Sequence, residues 1–343
     1  MRHISLFFVL LFLNVSVYGQ TVKVDLVAQE SPTDAHFRGL WVVNESIVWA
    51  SGTKGNVVKT LDGGKTWQKI VVTGFEDKDF RDIVAFDDKK AFIINAGSPA
   101  YILKTEDGGN SWTSVYQNDS PKAFLDDMGF WDEKTGFVFG DPDDSGKFVL
   151  LQTSDNGKSW KNIGDKLPTP QENEAGFAAS GTIMRFKDKT HIWIGTGGGK
   201  DSRILFSNDG GNSWSFFQTP ILSGKNSQGI FSMAFKDKKS GIAVGGDYTT
   251  PNEPNKTSIY TRNSGKTWKL SKKMPNGYRS CVSYVRGDIY ICAGTNGSDI
   301  SKDGGKTWQS VSSEGFNTIR FAQNGKVGWA VGNKGKIFKV SIN

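Results

Sequence analysis

Cysteine is scarce in this chain, with two in 343 residues, and histidine is scarcer than usual, with three. The first shortage excludes a small fold stapled by disulfides, since the chain is long enough to stabilise itself by burying a core. The second excludes a histidine-built zinc centre: His3 falls in a leader, while His36 and His191 stand alone in the sequence. Long hydrophobic runs are missing too. The apolar stretch from Ile4 to Leu13 is too short to span a bilayer, and nothing after it approaches the necessary length, so no integral membrane segment is expected. With Arg2 before that stretch and Val17-Tyr18-Gly19 after it, residues 1–19 read as an export signal, placing the mature protein in the periplasm or outside the cell.

Charge of one sign does not dominate. Lys+Arg 42 against Asp+Glu 35 gives +7, and the lysines are spread along the chain, which argues against a nucleic-acid partner. Proline is sparse at 10, whereas the 41 glycines, 11 Trp, 8 Tyr and 23 Phe describe an ordered, turn-rich globular protein.

An internal repeat organises the chain. The octet Thr60-Leu61-Asp62-Gly63-Gly64-Lys65-Thr66-Trp67 recurs at 105–112, 153–160, 207–214, 261–268 and 301–308 as S/T-x-D-x-G-x-S/T-W, with Asn263 the one exception at the Asp position. Successive Asp positions lie 45, 48, 54, 54 and 40 residues apart, which suits four-stranded propeller blades. Each octet reads as a hairpin turn in which Asp accepts backbone amides, Gly supplies positive φ and Trp anchors the hairpin to its neighbour. Two alternating runs precede each octet's own strand, as in Ile83–Phe86 and Ala91–Ile94 before Tyr101–Lys104.

After the sixth octet come three more strand-like runs and no fourth. Residues 22–28 alternate and have no other place to pair. The fold class expected is therefore all-β: residues 20–343 form a single domain, a seven-bladed β-propeller of four-stranded antiparallel blades, with an N-terminal strand closing the last blade.

The octets resemble the Asp-box repeat of bacterial neuraminidases, and seven such blades in an exported chain are similar to the photosystem II stability/assembly factor family. That resemblance implies a binding or assembly scaffold. The chain is also similar to exported bacterial propellers labelled oxidoreductases, yet it has no dinucleotide fingerprint, haem-attachment motif or Cys-x-x-Cys. Sialidases with these boxes open on Arg-Ile-Pro, where this chain has Arg38-Gly39-Leu40.

Site residues are expected on the face opposite the boxes, where the long loops 140–147, 164–180, 195–202 and 245–256 gather. Aligning the inner strands on their aromatic ends brings Arg38, Arg81 and Arg279 into one register, a candidate site for a carboxylate or sulfate on a polypeptide or anionic glycan, with Asp82 and Asp247 beside it. Local ion pairing of these arginines is the alternative. A carbohydrate-active enzyme acting on an acidic glycan would use Asp126 or Asp127 with a loop acid such as Glu172 or Glu174, or Tyr248 or Tyr278 as a base.

No cofactor or metal is expected. Asp141-Pro142-Asp143-Asp144-Ser145-Gly146 resembles half a calcium loop, but its twelfth position is Gln152, and Gly195-Thr196-Gly197-Gly198-Gly199-Lys200 fails the phosphate-loop spacing. A monomer is expected. A two-residue turn at Arg286-Gly287 would set Cys281 opposite Cys292, either as a disulfide or as two buried thiols.

Overall fold

The computed structural model describes residues 22–343, so the expected export signal lies outside the described residues. Seven four-stranded antiparallel sheets follow one another around a ring. Six are built from consecutive strands. In the seventh, Thr318–Phe321, Val327–Val331 and Ile337–Ile342 are completed by Val24–Gln29, which pairs antiparallel with Ile337–Ile342. The expected N-terminal closure is thus present, and it removes the open edge that a three-stranded last blade would leave.

The inner strand of each blade runs from the mouth of the central channel to the Asp-box face. The seven inner strands are Phe37–Val42, Asp79–Ala85, Leu125–Phe130, Met184–Lys187, Gln228–Phe235, Cys281–Arg286 and Thr318–Phe321. Alternation along the strands puts one row of side chains toward each neighbouring blade, so the core is a series of wedges, one between every pair of blades. Between the second and third, for example, Phe92 lies 5.1 Å from Phe130 in a stacked pair and Trp160 stands edge-on to both.

The boxes have the geometry their sequence dictates. Asp62 Oδ1 accepts from the Thr66 amide at 3.0 Å and from the Thr60 hydroxyl at 2.8 Å, while Thr60 Oγ1 accepts from the Gly64 amide. Gly64 sits at φ +84°, where a Cβ would strike Gln29 of the closing strand, so the first box clamps the ring shut. In the exceptional fifth box, Asn263 Oδ1 accepts the Thr267 amide and its Nδ2 donates to the Thr267 hydroxyl, both at 3.0 Å. An amide therefore reproduces the turn.

One register differs from expectation. Tyr284 pairs with Tyr290 and Arg286 with Ile289, with a bulge between, so Val282 faces Cys292 and Cys281 faces Ala293. A one-residue slip sends neighbouring side chains to opposite faces. Cys281 accordingly packs toward the seventh blade and Cys292 toward the fifth, and both are free thiols.

Candidate functional site at the two ends of the channel

Near its start the inner strand of four blades carries a β-bulge, at Arg38, Arg81, Asp126 and Phe231. A bulge turns an unpaired residue away from the ladder. The next residue then reaches the following blade: Asp82 Oδ2 accepts the Met128 amide at 2.7 Å, Asp127 Oδ2 the Met184 amide at 2.9 Å and Ser232 Oγ the Val282 amide at 2.8 Å. Asp82 and Asp127 are thus ties between blades, buried near the channel axis. Burial pushes Asp82 up to about 8, helped by the charge of Asp127, and pushes Asp127 up to about 6 against the opposing pull of Arg185.

Arg38 and Arg81 do meet at the mouth. Arg81 Nε donates to Asp79 at 2.8 Å, whereas Arg38 makes one long bond, 3.5 Å to the Ala179 carbonyl, and its guanidinium is disfavoured first by burial and then by the charge of Arg81. Arg279 is not with them. It stands one residue earlier in the strand, at the position of Phe37 and Phe80, because Tyr284, which pairs with Tyr290, is level with Val42 and Ala85 rather than with Val43 and Phe86. There it is 1 % exposed, with Nε donating to Asp299 Oδ2 at 2.7 Å and Nη1 to the Tyr278 carbonyl at 2.7 Å. This ion pair holds blade six together internally.

The remaining mouth candidates are dispersed. Asp126 is buried against Asp141, and burial followed by the Asp141 charge raises its carboxyl well above the ordinary range. Glu174 is buried in an ion pair with Arg203 Nε at 2.8 Å. Asp247 organises its own loop: bonds from Thr249 and Gln228 outweigh burial and hold it near 2. Tyr278 is 5 % exposed and burial drives its hydroxyl upward, while Tyr248 is 51 % exposed on the rim.

The mouth is also closed. Residues 175–182, from the loop between the third and fourth blades, run into the channel. Gly176 donates its amide to Asp141 Oδ1 at 2.8 Å, Ser180 its hydroxyl to the Ser280 carbonyl at 2.8 Å and Thr182 its hydroxyl to Ser232 Oγ at 2.7 Å. Gly181, at φ +58°, lies so close that a Cβ would drive into the Asp82 carboxyl.

At the other end, under the Asp-box face, a cavity of about 320 Å³ opens along the last residues of the inner strands. Trp41, Phe130, Phe186 and Tyr284 form part of its wall, and Arg185, Lys187 and Arg320 supply its polarity. None of the three cations is bonded to a carboxylate among the described residues. Arg185 donates to the Met233 and Met184 carbonyls, each at 2.7 Å, and Arg320 donates to the Gly181 carbonyl at 3.0 Å while lying 4.5 Å over the Trp41 ring. Burial lowers Arg185 to about 10, with Asp127 pulling the other way, and burial also lowers Lys187. Burial raises the carboxyls of Asp82 and Asp127 and so weakens them as counter-charges, leaving three cations to face at most two carboxylates. That surplus attracts an anion. Sequence reasoning passed over Arg185 and Arg320 because it looked for arginine at the start of the inner strand. Both stand near its end, two positions after the residue level with the Asp82 and Asp127 ties, which is Ile183 in the fourth blade and Thr318 in the seventh.

The family model described as Photosynthesis system II assembly factor YCF48 matches residues 15–122, and one described as Sortilin, neurotensin receptor 3, matches residues 148–295. The chain is an Asp-box propeller resembling the photosystem II assembly factors. No curated protein sequence matches it. Among solved structures, YCF48 bound to D1 peptide is 17 % identical, with a TM-score of 0.64 over 93 % of this chain and 95 % of that one. YCF48 from Cyanidioschyzon merolae is 18 % identical, with 0.65 over 92 % and 98 %. The Neurospora crassa Pan2 WD40 domain, at 12 % identity and 0.63 over 90 % and 89 %, shares the ring as well. At such identities the likeness establishes the architecture, which hosts many unrelated functions.

Proposed function

We propose that this chain is an exported, monomeric binding scaffold that holds an acidic polypeptide through the cavity under its Asp-box face. One observation carries the reading: Arg185, Lys187 and Arg320 converge on a concave, aromatic-walled space with only backbone carbonyls as bonded partners for the two guanidiniums. A guanidinium held by a carbonyl keeps donors for a carboxylate, and the planar fork suits bidentate capture. The likeness to YCF48, of which one solved structure is described as bound to a D1 peptide, supports a polypeptide over a small inorganic anion. Export is supported by the leader-like residues 1–19 and is checked by N-terminal sequencing of the protein from fractionated cells.

The expected site thereby moves from the mouth to the opposite end. An acidic glycan at the mouth has less in its favour, because Arg279 is sealed by Asp299 and the carboxyls of Asp126 and Asp127 are buried. The test is titration of a fluorescein-labelled hexaglutamate peptide by anisotropy, with hexaglutamine and a polyuronate as controls. Binding of hexaglutamate that falls at least tenfold in Arg185→Ala supports the proposal. Retention of the polyuronate alone, or equal binding of hexaglutamine, overturns it.

A further inference from the structure

Both ends of the channel grip one short segment. From the mouth side Arg38 Nη1 donates to the Ala179 carbonyl, and from the cavity side Arg320 Nη2 donates to the carbonyl of Gly181, two residues on. The segment between them is Ala178-Ala179-Ser180-Gly181. It is buried, with Ala179 packed on Phe231 and Tyr278, but it carries only small side chains, so its apolar contribution is small and hydrogen bonds supply much of its seat. Phe177, the one large residue next to it, stacks at 3.8 Å on the buried Phe231. The flanks are fixed separately: Ala175 bridges Gly197, and the Thr182 carbonyl accepts the Met233 amide at 2.8 Å.

We propose that residues 178–181 form a ligand-displaceable plug, released when an anion in the Asp-box cavity draws Arg320 off the Gly181 carbonyl. This rests on the reading of that cavity as an anion site. Arg320 is held in place by the Trp41 ring, so a carboxylate arriving in the cavity competes with a neutral carbonyl for the same guanidinium, and charge-assisted bonds are the stronger. The closed plug lowers apparent affinity by the fraction of molecules it keeps incompetent. Loosening it by any route then tightens binding, even from the far end of the channel, because coupling between sites is reciprocal.

The experiment pairs hydrogen exchange with anisotropy, using hexaglutamate as the probe. In the wild-type protein, saturating peptide is expected to accelerate exchange of the amides of residues 178–181 while the neighbouring inner strands stay protected. Arg38→Ala and Ser180→Ala, neither in the cavity, are each expected to accelerate the same amides without peptide and to bind it about three- to tenfold more tightly. Gly181→Ala, which cannot seat against Asp82, is expected to show the largest gain of the three. Should Gly181→Ala fail to fold, Arg38→Ala and Ser180→Ala decide the matter. If the peptide binds and weakens in Arg185→Ala, but exchange at 178–181 and the affinities of Arg38→Ala and Ser180→Ala are unchanged, the plug is overturned and the cavity stands. If no variant and no wild-type protein binds the peptide, the cavity reading fails with it.

Discussion

The two ends of the channel both gather arginine, but they differ in what answers the charge. At the mouth Arg279 faces Asp299 and Arg81 faces Asp79, so two of the three arginine charges are largely neutralised within the fold and Arg38 alone rests on a carbonyl, that of Ala179 in the plugging loop. Under the Asp-box face Arg185 and Arg320 are met by carbonyls, which orient a guanidinium without cancelling it. The difference shows that counting arginines around a hole does not locate a site, whereas the charge of each partner does.

The sharpest way to break this comparison is Arg279→Ala. Removing one partner of a buried pair leaves Asp299 uncompensated, so a loss of about 3–5 kcal/mol is expected in urea unfolding. Hexaglutamate binding should persist under conditions where the variant is folded. A variant that kept full stability yet lost the peptide would reverse the assignment of the two ends.

Arg320→Ala should do the converse. A loss of about 1.5–3 kcal/mol of peptide binding, read by anisotropy, is expected with a much smaller fall in Tm. Unchanged binding would remove Arg320 from the site.

The pH dependence of stability separates the channel from the rim. Asp82, Asp127 and Asp141 have native carboxyls raised above their unfolded values, first of all by burial, so between about pH 4 and 8 the native state holds more protons than the unfolded one. Stability due to them therefore falls as pH rises across that window. The box carboxylates Asp107, Asp155 and Asp209 are held near 2 by bonds from the Ser hydroxyl and amide of their own turns, and their contribution is lost only as pH drops below about 4. Calorimetry should place the highest Tm near pH 4–5, and Asp82→Asn should flatten the decline above it. A Tm that rises steadily from pH 5 to 8 would contradict the buried, protonated Asp82.

The smallest effect belongs to a change that touches neither end. Asn263→Asp converts the fifth box to the common form, and because Asn263 already makes the turn's bonds, the shift in stability should stay within about 0.5 kcal/mol with peptide binding unaltered. A large destabilisation would show that the amide has a role of its own in that blade.

Much of this is legible in the sequence. Six boxes, three strand-like runs before each and an orphan N-terminal strand were enough for seven blades and the closure by Val24–Gln29. The mouth site was only half legible: Arg38 and Arg81 share a register as expected, but Arg279 does not, because Tyr284 stands one position short of the strand ends it was aligned with, and the cysteines are not opposed, because the hairpin turns at Gly287-Asp288 rather than at Arg286-Gly287. Loop length pointed to residues 164–180 as notable without showing that they enter the channel.

The amino-acid sequence alone determined the number of blades, the turn chemistry and the way the ring shuts, since each is a local pattern repeated at a readable spacing. Only the tertiary structure decided which end of the channel is open and which arginines keep their charge. A single bulge reverses the face of every residue beyond it, and the destination of a loop that crosses to Arg38 and Arg320 is set by contacts some 140 residues away.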